Sequence, residues 1–251
     1  MTPLLETRAI GKRFGGLEAV TGVDLRLARG EVRALIGPNG AGKTTLVGLI
    51  SGRLAPTTGR VLFAGRDVTR LGAADRVRLG IVYTFQITSI YRRLTVADNV
   101  AVAVQRRRLR RLADWLAPDA RGLAREVEAA LGVVGLAGVA AEPAGALPYG
   151  HQRLLEIAMA LALQPALLIL DEPTQGLAAA EIDALCRLVR DIAAGATVLL
   201  IEHNMAVVLE LAGRITVMDR GRVIAEGPPR EIEANPEVQR AYLGQPSATS
   251  S

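Results

Sequence analysis

Hydrophobic and polar positions fall into two regimes along the chain. In the first, short unbroken apolar runs stand between turn residues. Ala166-Leu-Leu-Ile-Leu170 lies between Pro165 and two acids, and Ala196-Thr-Val-Leu-Leu-Ile201 follows a glycine. Apolar character without alternation over so few residues predicts strands buried on both faces of a parallel sheet. Between these runs, residues 179–194 carry Ile182, Leu185, Cys186, Val189 and Ile192 at helical spacing. Strand, helix, strand implies a right-handed parallel unit. Residues 31–36 predict another strand, entering a glycine-rich loop and an apolar helix over 45–50. Residues 214–218 and 222–225 flank Asp219-Arg-Gly221 and predict a hairpin. In the second regime, residues 87–145 are rich in arginine and alanine with mostly helical periodicity, including 124–134. That stretch predicts a helical subdomain set into the α/β core. Residues 245–251 are small and polar and predict a frayed tail.

Composition narrows the class. A chain of 251 residues, half of them hydrophobic and 22% charged, is long enough for one domain with a sizeable core. Aromatics make up 3%, so aliphatic side chains and alanine must fill it. The net charge of +5 suits phosphate ligands or an anionic membrane surface. No nucleic-acid module or zinc spacing is present, so no nucleic-acid partner is expected. Cys186 is the single cysteine, which excludes an internal disulfide and fits a reducing compartment. No apolar run approaches the roughly 20 residues that span a bilayer, and the first residues lack a signal-peptide core. The expectation is a soluble cytoplasmic protein.

The sharpest chemical signal is Gly37-Pro-Asn-Gly-Ala-Gly-Lys-Thr44, between predicted strand and predicted helix. Its glycines let the backbone of Gly37, Pro38, Asn39, Gly40, Ala41 and Gly42 fold tightly, so that several of the loop's N–H groups converge on phosphate oxygens. Proline itself supplies only its carbonyl there. The helix that follows points its positive end at the same anion. Lys43 adds a point charge for the β- and γ-phosphates, Thr44 a hydroxyl for Mg²⁺, and Thr45 assists at the phosphates. This loop implies a nucleotide without fixing the reaction.

Asp171 and Glu172 close one apolar strand, and His203 follows another in Ile201-Glu-His-Asn204. Consecutive acids at a strand end point differently. Asp171 is therefore expected to hold Mg²⁺ through its hydration shell, and Glu172 to act as base on the attacking water. Ligands collect at the carboxyl ends of parallel strands, where His203 can reach a γ-phosphate.

Taken in order, these elements resemble the ATPase subunits of ABC transporters over nearly the whole chain. Residues 37–45 look like the Walker A loop, 167–171 like Walker B, Glu172 like the catalytic glutamate and His203 like the switch histidine. Gln86, in Tyr83-Thr-Phe-Gln86, matches the glutamine that touches Mg²⁺ and the water in that family. Phe14 stands where the family stacks an aromatic on adenine. The signature loop reads Leu147-Pro-Tyr-Gly-His-Gln-Arg153 and leads into a helix expected over 154–163. Pro148 replaces the usual serine and His151 the usual glutamine; Gly150 keeps its N–H and His151 can donate to a phosphate. Ala178 occupies the D-loop stretch, where a polar residue is usual.

The resemblance implies a P-loop NTPase fold with a mixed, largely parallel core sheet, an N-terminal antiparallel β subdomain, and an inserted helical subdomain over about 87–165. Residues 1–244 then form one ATPase domain. It also implies ATP and Mg²⁺ as ligands and a second ABC ATPase subunit whose signature loop completes the site. Two membrane permeases and a periplasmic or extracellular solute-binding protein complete the implied assembly. The chain would sit on the inner face of the membrane through the permeases alone. Closer likeness is to importer ATPases for branched-chain and other hydrophobic amino acids, on Phe14-Gly-Gly-Leu-Glu-Ala-Val20, Tyr149, Ile201-Glu-His-Asn-Met205 and Ala241-Tyr-Leu-Gly244. Related systems for urea or short amides, or for lipopolysaccharide export, share part of this pattern. A non-transport ABC ATPase or a phosphate-loop kinase is the alternative of another class. The arginines at 106–108 and 110–111 read either as a solvated helix face or as a contact for anionic headgroups.

Overall fold

The computed structural model describes residues 2–84, 89–108 and 119–243. Gln86, the last arginines of the basic cluster and the 245–251 tail lie outside the described residues. Among the described residues ten strands form two sheets. β1 (Leu5–Phe14), β2 (Leu17–Leu27), β4 (Thr58–Phe63) and β5 (Arg66–Asp67) make an antiparallel sheet in the order β2-β1-β4-β5. The second sheet contains β3 (Val32–Ile36), β6 (Ile81–Tyr83), β7 (Leu167–Asp171), β8 (Thr197–Ile201), β9 (Arg214–Asp219) and β10 (Arg222–Gly227). Its order is β10-β9-β3-β8-β7-β6. Only the edge pair β9–β10 is antiparallel.

The unbroken apolar runs behave as expected. Every residue of β7 and β8 is buried. Alternate side chains serve opposite faces, as the pleat requires. Leu167, Ile169, Leu199 and Ile201 pack with the antiparallel sheet and α1 (Lys43–Ser51). Leu168, Leu170, Val198 and Leu200 pack on the other face. There they meet α3 (Val96–Arg108), α4 (Ala120–Val133), α5 (Tyr149–Ala162), α6 (Ala179–Ala193) and α7 (Met205–Leu211). Three of these helices, α3 to α5, lie between β6 and β7 in the chain, with α2 (Ala73–Arg78) before them. Two short helices, α8 (Pro229–Glu233) and α9 (Pro236–Leu243), end the described chain.

Two predicted boundaries move. The helix expected over 124–134 begins at Ala120, where Asp119 caps it by accepting from the Gly122 N–H at 2.8 Å. The helix expected over 154–163 begins at Tyr149, with Pro148 at its N-cap (φ −53°). Proline lacks an N–H, but a helix start has no intrahelical acceptor for one. Residues 149–153 of the signature stretch therefore open α5 and are not a loop before it, while Leu147 and Pro148 precede the helix. At the β9–β10 hairpin Arg220 and Gly221 both have positive φ, 43° and 78°. Such a two-residue turn matches the right-handed twist of the strands. Part of the basic cluster is used internally: Arg107 and Arg108 both pair with Glu126 of α4. No described helix is long and apolar enough to cross a membrane.

Candidate active site

Register brings three strand ends into one row. Leu35 of β3 and Asp171 of β7 both pair with Ile201 of β8. The phosphate loop, the acidic pair and the Glu202–His203 turn therefore leave the sheet side by side at its carboxyl edge. A cleft of about 650 Å³ opens there. Asn39, Gly40, Ala41, Gly42, Lys43, Thr44, Thr45 and Glu172 line it, with Phe14, Glu18 and Arg220 among those at its sides.

The loop conformation demands its glycines. Gly37 has φ 151°, and a Cβ placed on it would lie 2.1 Å from the Met218 carbonyl oxygen. Gly42, the N-cap of α1, has φ 96°, and its Cβ would lie 2.5 Å from the Ala19 oxygen. Neither position accepts a side chain without moving backbone. Lys43 turns back into the loop: its Nζ donates to the carbonyls of Gly37 at 2.6 Å and Pro38 at 3.0 Å. Burial lowers its pKa, partly offset by the Glu172 and Asp171 carboxylates. Phe14 is 46% exposed at the rim, with the Lys12 ammonium 5.1 Å from its ring centroid. That leaves an aromatic surface beside the phosphate cradle.

Asp171 is 3% exposed. Burial raises its pKa, against the lowering effect of a hydrogen bond from the Tyr83 hydroxyl to Oδ2 at 2.6 Å. The Tyr83 pKa is raised by its own burial and by that bond. Glu172 has φ 47°, an uncommon conformation for a residue with a side chain, and one found at functional sites. Three bonds hold the bend. The Glu172 N–H donates to Ile201 O at 2.9 Å, and Arg153 donates to Glu172 O at 3.0 Å and Asp171 O at 2.7 Å. His203 Nδ1 lies 3.8 Å from Glu172 Oε1.

A buried carboxylate and one hydroxyl suit Mg²⁺, which uses one or two carboxylates together with waters and phosphate oxygens. The raised Asp171 pKa marks a carboxylate that a nearby cation would stabilise. Among the described residues no cluster of three His, Cys, Asp or Glu side chains forms a protein-only metal cage.

Gly150 and His151 do not line this cleft. They sit in the first turn of α5, His151 exposed and Gly150 buried. A Cβ on Gly150 would lie 2.1 Å from Glu181 Oε1. Glu181 also accepts from the Ala178 N–H at 2.8 Å, at the start of α6. Tyr149 is 44% exposed. Sequence reasoning gave no role to Tyr83, Arg153, Thr174 or Glu202. Each stands in or beside a stretch it singled out, but the bonds that matter span 19 to 88 residues.

Residues 20–175 match the ABC transporter family. Residues 222–248 match the branched-chain amino acid ATP-binding cassette transporter family. The chain is 40% identical over 254 residues to the high-affinity branched-chain amino acid transport ATP-binding protein BraF of Pseudomonas aeruginosa, covering 97% of this chain and 98% of that one. It is also 40% identical to the corresponding LivG protein of Escherichia coli K12, with the same coverage. Among solved structures it is similar to a nucleotide-free ATP-binding cassette from an ABC transporter (TM-score 0.86, 30% identity, 97% of this chain and 100% of that one). An ADP-bound cassette gives the same TM-score and identity over 98% and 100%.

Proposed function

Because this chain belongs to the ABC transporter family, we propose that it is the ATP-hydrolysing subunit of an importer for branched-chain amino acids. The observation that carries the choice of solute is the match of its C-terminal segment, 222–248, to the branched-chain family.

The residues divide the work as follows. The loop amides from Asn39 to Thr45 and the positive end of α1 bind the terminal phosphates. Lys43 exchanges its two loop carbonyls for phosphate oxygens, and Phe14 offers its ring to the base. Thr44 and Asp171 would hold Mg²⁺, whose chemistry there would be to neutralise phosphate charge. Gln86 joins them in this reading. Glu172 accepts a proton from the attacking water, and His203 orients the γ-phosphate and the water. Gly150 and His151 lie outside the chain's own cleft, which supports a site closed by a second cassette. There the Gly150 N–H and the His151 side chain serve the partner's nucleotide. Loss of the γ-phosphate removes these contacts and lets the pair open. In this reading permeases carry the solute and anchor the chain to the inner membrane face, and a solute-binding protein delivers it.

The test is uptake of radiolabelled leucine by cells lacking this chain, complemented with the wild type or with Glu172→Gln. Uptake should return with the wild type and stay at background with the variant. Leucine uptake that does not depend on the chain overturns the assignment of solute. Hydrolysis by Glu172→Gln at the wild-type rate overturns the role of the base.

A further inference from the structure

Glu202 carries no part of the chemistry above, yet it is one of the most enclosed polar side chains in the molecule, 1% exposed. Its carboxylate accepts from four donors. Oε1 takes the Thr174 N–H at 3.0 Å and the Thr174 hydroxyl. Oε2 takes the backbone N–H groups of His203 at 3.0 Å and Asn204 at 3.2 Å. Among the described residues no basic side chain pairs with it. Burying a carboxylate is costly unless its lone pairs are filled, and here backbone and hydroxyl donors fill them.

The two ends of this contact matter. Thr174 stands two residues beyond Glu172, after Pro173, and His203 follows Glu202 directly. We propose that Glu202 is a positioning residue that locks the turn after β7 to the turn after β8. It thereby fixes the separation between the base Glu172 and His203. The inference rests on the roles assigned to those two residues. The lock complements the Glu172 N–H bond to Ile201 O, which ties the same two turns from the strand side. Together they bracket the strained Glu172 bend on both flanks. All four hydrogen bonds to the carboxylate come from donors, so an amide in its place must turn its NH₂ toward at least one backbone N–H, that of Thr174 or those of His203 and Asn204. Glu202→Gln therefore breaks the lock with little change of shape.

The experiment compares the purified full chain with Glu202→Gln, Thr174→Val, Thr174→Ser and Glu172→Gln. Phosphate release is measured across MgATP concentrations. Glu202→Gln should lower kcat about 10- to 100-fold with KM nearly unchanged, since a displacement of about 1 Å at a reacting group has that effect. Thr174→Val should lower kcat less, and Thr174→Ser, which keeps the hydroxyl, should restore it. A second readout is independent of turnover. The chain has two histidines, so NMR has only the ring C–H resonances of His151 and His203 to tell apart. Glu202→Gln and Thr174→Val should shift the His203 resonance and leave His151 in place. If Glu202→Gln unfolds the chain, the Thr174 pair still decides. A folded Glu202→Gln with kcat within about twofold of wild type and an unmoved His203 resonance overturns the lock. If Glu172→Gln turns over normally, the base assignment fails, whatever Glu202→Gln does.

Discussion

Replacing Arg153 by methionine removes a guanidinium that is 1% exposed and joins α5 to the end of β7. The bonds lost include those to Glu156 Oε2 at 2.8 Å, to Asp171 O at 2.7 Å and to Glu172 O at 3.0 Å. Methionine fills much of the same volume, so the cavity contribution is small. The cost lies in the acceptors. Two buried carbonyls lose a charged donor, and Glu156, 5% exposed, loses its arginine. Breaking a buried pair by removing one partner costs about 3–5 kcal/mol. In a chain of this size each kcal/mol moves Tm by roughly 2–4 °C, so a fall of about 6–20 °C is expected. Thermal unfolding followed by circular dichroism without nucleotide measures it. The double variant Arg153→Met/Glu156→Met should recover a large part of the loss, because the carboxylate leaves with its partner. A single variant that melts within about 3 °C of wild type would refute the reasoning. ATP hydrolysis should fall as well, since Arg153 holds the carbonyl of the strained Glu172.

Two further outcomes follow from the geometry. Gly37→Ala should abolish nucleotide binding in a fluorescent-nucleotide titration, because its Cβ would fall 2.1 Å from the Met218 oxygen and only a moved loop relieves that; undiminished affinity would contradict the loop conformation. Cys186 is fully buried, and burial pushes its thiol from an ordinary 9.0 up to about 11. Burial disfavours the thiolate, so the site costs nothing while the thiol stays protonated, below pH 9.0, and lowers stability as pH rises toward about 11. Aromatic disulfide reagents at pH 8 should therefore label the native chain far more slowly than the urea-unfolded chain; equal rates would contradict the burial.

The parallel core was legible because its signal is local. Short apolar runs such as Leu167-Leu-Ile-Leu170 are buried on both faces, and nothing interrupts them. The phosphate loop was legible for the same reason, since its spacing is fixed by one tight turn. The long β1–β2 hairpin was not read from the residues themselves. Its pairing shifts between Thr7 and Ile10, Ile10 and Lys12, and Lys12 and Arg13, so the two-residue alternation is broken repeatedly. The start of α5 was placed late because Pro148 and Gly150 read as loop residues, although proline is tolerated at a helix start. The braces of the site, Tyr83 on Asp171, Arg153 on Glu172 and Glu202 on Thr174, are polar pairs between distant segments. Each partner alone is an ordinary residue, and only the folded register makes them neighbours.

Lys43 and its own loop form a small closed circuit: the ammonium rests on the carbonyls of Gly37 and Pro38. An arriving triphosphate therefore trades one set of oxygens for another and does not meet a bare cation. The heat released on binding should be smaller than a count of new phosphate contacts suggests, because two good bonds are surrendered first. A lone inorganic anion must make the same trade with fewer contacts to offset it, so the loop favours larger ligands over small anions. Discrimination against small anions is in this way written into the bonds of a single lysine.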